Sequence, residues 1–202
     1  MISLTDIRTY NQAIDYFKSK AEKDDILAIR TLGVLYWKGA SGREDNVKAA
    51  FPYWKKAAEG GDLQAALLVG TTLLDGSASA YDQAGGFACL LKAAETGNAD
   101  IQFMLGYCCK KGIGCIRNKQ LAEKYYRLAS LQNHEKAQWE LGYMLAEADS
   151  NEGLYWICRS HRNGFSVATK FLNDMVEINP QVKKSIDFVI DHMGEEDAVS
   201  WE

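Results

Sequence analysis

The residues of this 202-residue chain that could perform chemistry are few, and they do not converge. His134, His161 and His192 are far apart in the sequence. No Gly-x-Ser-x-Gly turn is present, and the Gly112-Ile-Gly114 stretch lacks the preceding strand of a nucleotide-binding loop. Catalysis requires groups that meet at one point, so we predict no catalytic residue and no cofactor. An enzyme or a metal-dependent regulator is a distant alternative.

The five cysteines are arranged for packing rather than for metal binding. Zinc sites generally use cysteines separated by two residues, whereas Cys108 and Cys109 are adjacent and point to different faces of one predicted helix. Their odd number favours reduced thiols that act as small hydrophobic side chains. We therefore predict no metal site. The full set is Cys89, Cys108, Cys109, Cys115 and Cys158.

Composition and charge limit the classes of partner. The formal net charge is −4, which makes an anionic nucleic acid a poor partner. No run of about 18 apolar residues is present, and the first residues lack the basic start and apolar core of a secretion signal. These features predict a cytoplasmic protein without a membrane partner, present as a monomer or weak dimer.

The elements that position these residues form a repeat of about 36 residues. A small residue, then Leu or Val, a glycine, an apolar residue and a small residue recur four times, with the glycine at Gly33, Gly70, Gly106 and Gly142. A second series follows each time and ends on a turn residue: Gly61, Gly97, Asn133 and Gly164. Apolar residues four apart share one helix face, so each repeat is predicted to be two antiparallel helices, A and then B.

The spacing also predicts the helix bounds. They are B0 at 6–22, A1 at 26–38, B1 at 46–59, A2 at 63–75, B2 at 83–96, A3 at 99–111, B3 at 119–132, A4 at 135–147, B4 at 152–162 and A5 at 166–178, with a last helix after Pro180. Pro52 predicts a late start or a bend in B1. Because a helical glycine costs about 1 kcal/mol relative to alanine, the four matched glycines predict close approach of a neighbouring helix backbone.

The A-to-B connections carry signals of their own. Glycines at the end of helix A are predicted to adopt a positive φ, and acidic or amide residues six positions later are predicted to cap helix B. The glycines are Gly39, Gly76 and Gly112, and the capping residues are Asp45, Asp82 and Asn118.

The first repeat shows the full pattern. It comprises Ala28, Leu32, Gly33, Tyr36 and Gly39, then Asp45, Lys48 and Ala49, then Tyr53, Trp54, Lys56, Ala57, Ala58 and Gly61. This series resembles the Sel1-like repeat, a relative of the tetratricopeptide repeat, over roughly residues 10–165. The resemblance implies an all-α fold: an α-solenoid of antiparallel helix pairs in a right-handed superhelix. It implies one domain over residues 1–202, in which 166–202 form capping helices and an acidic tail.

The resemblance also implies a function. Proteins of this kind look like adaptors and scaffolds that bind other proteins; many are bacterial, and some resemble immunity proteins. We therefore predict a non-catalytic interaction module. The alternative is a cytoplasmic immunity protein that neutralises a bacterial toxin by direct binding.

The predicted binding surface is the concave side of the solenoid, which helix A lines. Its candidate residues lie at positions of helix A that packing does not use. They are Arg30, Val34, Trp37, Leu67, Thr71, Phe103, Tyr107, Lys110, Trp139 and Tyr143. Aromatic residues and arginine are enriched at binding hot spots, which favours a groove for a peptide, a helix or a domain edge. Packing between neighbouring A helices is the alternative for the aromatic residues. Lysines and an arginine form a basic area on repeat 3, at Lys110, Lys111, Lys119, Lys124 and Arg127. The preferred interpretation of this area is a solvated helix end whose lysines complement the helix dipole.

Overall fold

The computed structural model describes residues 9–39, 43–76, 80–146 and 151–192, and every regular element in these ranges is an α-helix. The chain divides into two compact units, Met1–Lys119 and Gln120–Glu202. The first unit contains α1 (Tyr10–Ala21), α2 (Ile26–Gly39), α3 (Arg43–Glu59), α4 (Leu63–Leu74), α5 (Ala80–Ala94) and α6 (Ala99–Lys111). The second unit contains α7 (Lys119–Leu131), α8 (Glu135–Ala146), α9 (Asn151–Arg162), α10 (Ser166–Ile178) and α11 (Val182–His192). Only Lys119, the first residue of α7, falls in the first unit. The predicted all-α fold is confirmed, and the predicted acidic tail at 193–202 lies outside the described residues.

Each turn from a B helix to the next A helix uses the same two backbone features. The first is a residue with a left-handed φ, at Asp24, Gly61, Gly97, Asn133 and Gly164. The second is a capping side chain at the next position, which accepts a hydrogen bond from the backbone N–H three residues later, at Asp25, Asp62, Asn98 and His134. Phe165 occupies this position in the last turn and makes no such bond. Helices α2, α4, α6 and α8 are therefore started by the same local chemistry.

His134 belongs to this set although its side chain differs. Its Nδ1 accepts from the backbone N–H of Ala137 at 3.1 Å, as a carboxylate oxygen does at Asp62. His134, to which no role was assigned from the sequence, is thus the N-cap of α8.

The predicted ends of the A helices are partly wrong. Gly76 and Gly112 have φ values of 74° and 78°, as predicted. Gly39 is instead the last residue of α2, outside the left-handed region. A Cβ there would overlap the hydroxyl of Tyr10, which donates to the carbonyl of Leu35. Close approach of a side chain, rather than a positive φ, explains this glycine.

The predicted starts of two B helices are also wrong. Helices α3 and α5 begin at Arg43 and Ala80, so Asp45 and Asp82 lie inside the first helical turn instead of capping it. Asn118 does immediately precede α7. The predicted late start of helix B1 is wrong as well, because α3 runs continuously through Pro52.

The matched glycines lie where helices approach closely. A Cβ on Gly142 would be 2.8 Å from both the carbonyl oxygen of Gly153 and the backbone nitrogen of Ile157 in α9. A Cβ on Gly33 would be 2.6 Å from the Trp54 ring, and one on Gly70 would overlap Met104. The predicted close approach of a neighbouring helix backbone is therefore confirmed at Gly142. At Gly33 and Gly70 the closest neighbours are side chains instead.

Candidate partner-binding surface

The candidate residues on α2 differ in how much of their surface a partner could reach. Trp37 is 44% exposed, and its ring centroid lies 6.3 Å from that of the buried Trp54. Arg30 is half-buried and pairs with Asp62, with Nη1 and Oδ1 3.2 Å apart. Because Asp62 also caps α4, Arg30 already has a structural role. Val34, which lies between Arg30 and Trp37 in the sequence, is half-buried. Trp37 is therefore the most exposed of the three candidates on α2, although Leu27 of the same helix is 58% exposed.

The candidates on α4 and α6 are mostly half-buried. Thr71 is exposed, and its hydroxyl donates to the carbonyl of Leu67 at 2.8 Å. Phe103, Tyr107 and Lys110 on α6 are half-buried. The ammonium group of Lys111 lies 5.9 Å from the centroid of the Tyr107 ring, a cation–π contact. Helices α4 and α6 pack against each other, so their candidate residues belong to neighbouring helices of the first unit.

The two candidates on α8 belong to the second unit, and only one is well exposed. Trp139 packs in an aromatic cluster, with its centroid 5.3 Å from Phe171, 6.3 Å from Phe165 and 5.7 Å from Tyr143. These contacts favour the packing interpretation for Trp139. Tyr143 is 45% exposed at the edge of the cluster. The assignment of the ten residues to a binding site stays a prediction.

Arg127 is not part of a free basic area, contrary to the expectation from the sequence. Its guanidinium forms a two-pronged ion pair with Glu152 of α9 and also contacts Glu123, with Nη2 3.0 Å from Oε1. Trp156 Nε1 donates to the same Glu152 carboxylate at 3.1 Å. This network links α7 to α9. Sequence reasoning missed it because Glu152 lies 25 residues from Arg127, although Glu123 lies only 4 residues away.

Glu152 is expected to make stability depend on pH. Burial alone would raise the pKa of Glu152, but hydrogen bonds from Arg127 and Trp156 hold it below its ordinary value. A lowered folded-state pKa means that the pair stabilises the protein above the unfolded pKa of about 4.3 and that this contribution is lost as the pH falls through the folded-state pKa. We expect Glu152→Gln to lower the free energy of unfolding by about 1–2 kcal/mol at neutral pH.

Urea unfolding of both proteins at neutral pH and at about pH 3.5 measures this difference. The gap between Glu152→Gln and the parent protein should shrink at the lower pH. Glu22→Gln, at an exposed position after α1, makes the same charge change and should have little effect at either pH. A gap that stays constant with pH would contradict the assigned role of the Glu152 carboxylate.

In the described parts of the chain, no three His, Cys, Asp or Glu side chains are grouped so that they could hold a metal ion. Over the same ranges, no helix has both the length and the apolar character needed to cross a membrane.

Comparisons with known proteins agree with this architecture. A family model of the Sel1 repeat matches residues 26–62, 63–98, 99–134 and 135–164. The chain is 28% identical over 141 residues to the ERAD-associated E3 ubiquitin-protein ligase component HRD3A of Arabidopsis thaliana, a match that covers 70% of this chain. The chain spans only 19% of the length of that relative.

Solved structures show the same fold. A Sel1 repeat protein from Oxalobacter formigenes superposes with a TM-score of 0.62 and 23% identity, covering 93% of this chain and 76% of that one. The c5321 protective antigen of uropathogenic Escherichia coli strains, which has an SLR fold, gives a TM-score of 0.59 and 23% identity, covering 94% of this chain and 44% of that one. The four family matches begin at or next to the first residues of α2, α4, α6 and α8. This chain belongs to the Sel1 repeat family.

Proposed function

We propose that this chain is a non-catalytic adaptor that binds another protein through the candidate residues of α2, α4 and α6. Sel1 repeats are commonly protein–protein interaction modules, and the family is generally a non-catalytic fold. The observation that carries the proposal is the exposed Trp37 side chain at the end of α2. Tryptophan is among the residues most enriched at binding hot spots because it buries a large area in one contact.

Trp37 is held in a defined position before any partner binds. Its ring lies against the buried Trp54, and its carbonyl accepts a hydrogen bond from Asn46 Nδ2 at 2.7 Å. A side chain that is already ordered loses little conformational entropy on binding. The half-buried Phe103 and Tyr107 on α6 would add contact area on the same predicted surface, which suits a peptide or the edge of a domain.

Trp37→Ala in the full chain tests the proposal. The partner is first identified by affinity purification from the native host and quantitative mass spectrometry, and its affinity is then measured with purified proteins. We expect Trp37→Ala to weaken binding at least about tenfold, because truncation of a hot-spot tryptophan removes most of its contact area. Adding Tyr143→Ala tests whether the second unit contributes.

Leu91→Ala provides the matched control. Leu91 is also a large exposed apolar residue of the first unit, but it lies on the B helix α5. We expect this variant to bind within about twofold of the parent protein, with unchanged helicity for both variants. Full-strength binding by Trp37→Ala, or a larger loss with Leu91→Ala, would place the partner elsewhere.

A further inference from the structure

A groove of about 510 Å³ lies between α9 and α11 of the second unit, separate from the candidate surface described above. Its apolar walls are Leu154, Tyr155, Phe188 and Val189. Phe188 is 63% exposed, and Ile186 is the buried residue of α11. The last described helix therefore turns a large aromatic side chain toward an open groove instead of into the core.

Both walls of the groove are ordered by contacts of their own. The Tyr155 hydroxyl accepts a hydrogen bond from Arg159 Nη1 at 2.7 Å, and its ring packs edge-on against Trp156. On α11, the His192 ring stacks on Phe188 with centroids 4.1 Å apart, and its Nδ1 donates to the Phe188 carbonyl at 2.8 Å. Pre-ordered walls reduce the entropy that binding costs.

The groove carries one formal positive charge, although the net charge of the chain is −4. Lys184 lines it, and its lining residues include no carboxylate. Within the described ranges Lys184 makes no ion pair. Asp187, an acidic residue of the same helix, lines a different groove, which also contains residues of α10. A cation beside an apolar cleft suits an acidic ligand with an apolar anchor.

We propose that this groove binds a short acidic segment of a partner protein. An aromatic or aliphatic side chain of that segment enters between Tyr155 and Phe188, and a neighbouring carboxylate pairs with Lys184. The groove volume falls in the range of about 300–1,000 Å³ that is usual for ligand pockets. A helix is about 10–12 Å across with its side chains, so the groove accepts side chains of the partner rather than a whole helix.

A defined peptide tests the proposal with the full chain. The probe is a fluorescein-labelled peptide in which one tryptophan is flanked on each side by two glutamates, and fluorescence anisotropy measures its binding. We expect saturable binding that weakens about tenfold when the glutamates become lysines or when the tryptophan becomes alanine. Phe188→Ala should weaken binding of the original probe to a similar degree, since it removes one apolar wall.

The two adjacent lysines of α11 supply the matched pair of variants. Lys184→Glu should weaken binding about tenfold, whereas Lys183→Glu makes the same change in net charge but lies on the other groove and should stay within about twofold. Equal losses from the two variants would show nonspecific attraction and overturn the proposal. So would the absence of binding at about 1 mM protein with native helicity.

Two other occupants of the groove would also overturn it. A chain that ends at His192 and binds the probe much more tightly would show that residues 193–202 of the same chain fill the groove. A dimer in sedimentation experiments that Phe188→Asp dissociates would show that a second copy covers it. Neither result depends on the Trp37 surface, so failure here is distinguishable from failure of the proposed adaptor function.

Discussion

Replacing Gly142 with alanine is expected to lower the free energy of unfolding by about 2–3 kcal/mol. The new methyl group would meet the Gly153 carbonyl oxygen and the Ile157 backbone nitrogen of α9, each 2.8 Å away. These are backbone atoms, so the strain cannot be relieved by a side-chain rotation, and α8 and α9 must move apart. The better helix propensity of alanine, about 1 kcal/mol, offsets only part of this cost.

Gly85→Ala is the control for this prediction. Gly85 is also inside a helix, but the nearest atoms to a Cβ there belong to the flexible Lys55 side chain, at 3.2–3.8 Å. We therefore expect stability to rise by up to about 1 kcal/mol. Urea unfolding followed by far-ultraviolet circular dichroism measures both variants. If Gly142→Ala were as stable as the parent protein, the close contact between α8 and α9 would be absent in solution.

Cys108, Cys109 and Cys158 are expected to resist alkylation while the protein is folded. Burial raises the pKa of each of these thiols to about 12. The thiolate is the nucleophile, so at pH 8 its population is about a thousandfold lower than for a thiol with an ordinary pKa near 9. Raising the pH toward 12 should progressively restore reactivity. Iodoacetamide labelling followed by peptide mass spectrometry gives the rate at each cysteine.

Cys115 is the internal reference for the labelling experiment. It lies half-buried in the loop after α6, so it should react before the three buried thiols in the folded protein. In denaturing guanidinium all the cysteines should react at similar rates. Labelling of Cys158 as fast as Cys115 under native conditions would show that α9 opens readily or that its thiol is not buried.

The helices could be predicted from the sequence because the same residue pattern recurs in four copies. A residue such as Gly142 is informative only in register with Gly33, Gly70 and Gly106, since one helical glycine has many explanations. The register also predicted the turn residues Gly61 and Asn133, and the structure gives both a left-handed φ. The helices and turns of the repeat could therefore be predicted from the sequence alone.

Features that depend on partners distant in sequence could not be predicted. Arg127 was counted in a basic area, yet Glu152 lies 25 residues away and pairs with it. Gly39 was assigned a turn conformation, whereas its neighbour is Tyr10 from α1. In both cases the deciding contact joins helices that no local pattern relates.

The packing of the candidate surface residues could not be predicted from the repeat pattern either. Phe103 and Trp139 occupy equivalent repeat positions, so the pattern treats them alike. The contacts of Trp139 come from Phe165 and Phe171, which lie where the repeat pattern fades. The α11 wall of the groove also lies beyond the last repeat match, so repeat periodicity has no information about it.

The shared geometry of the B-to-A turns affects how the number of repeats in such a chain can change during evolution. Successive turns at Gly61, Gly97 and Asn133 are 36 residues apart and present the same backbone geometry to the helix that follows. A duplicated segment bounded by two of these turns therefore reproduces an existing junction at each end. Recombination within the gene can add or delete whole repeats while keeping the same turn geometry at each junction, whereas any fraction of a repeat breaks the register of glycines.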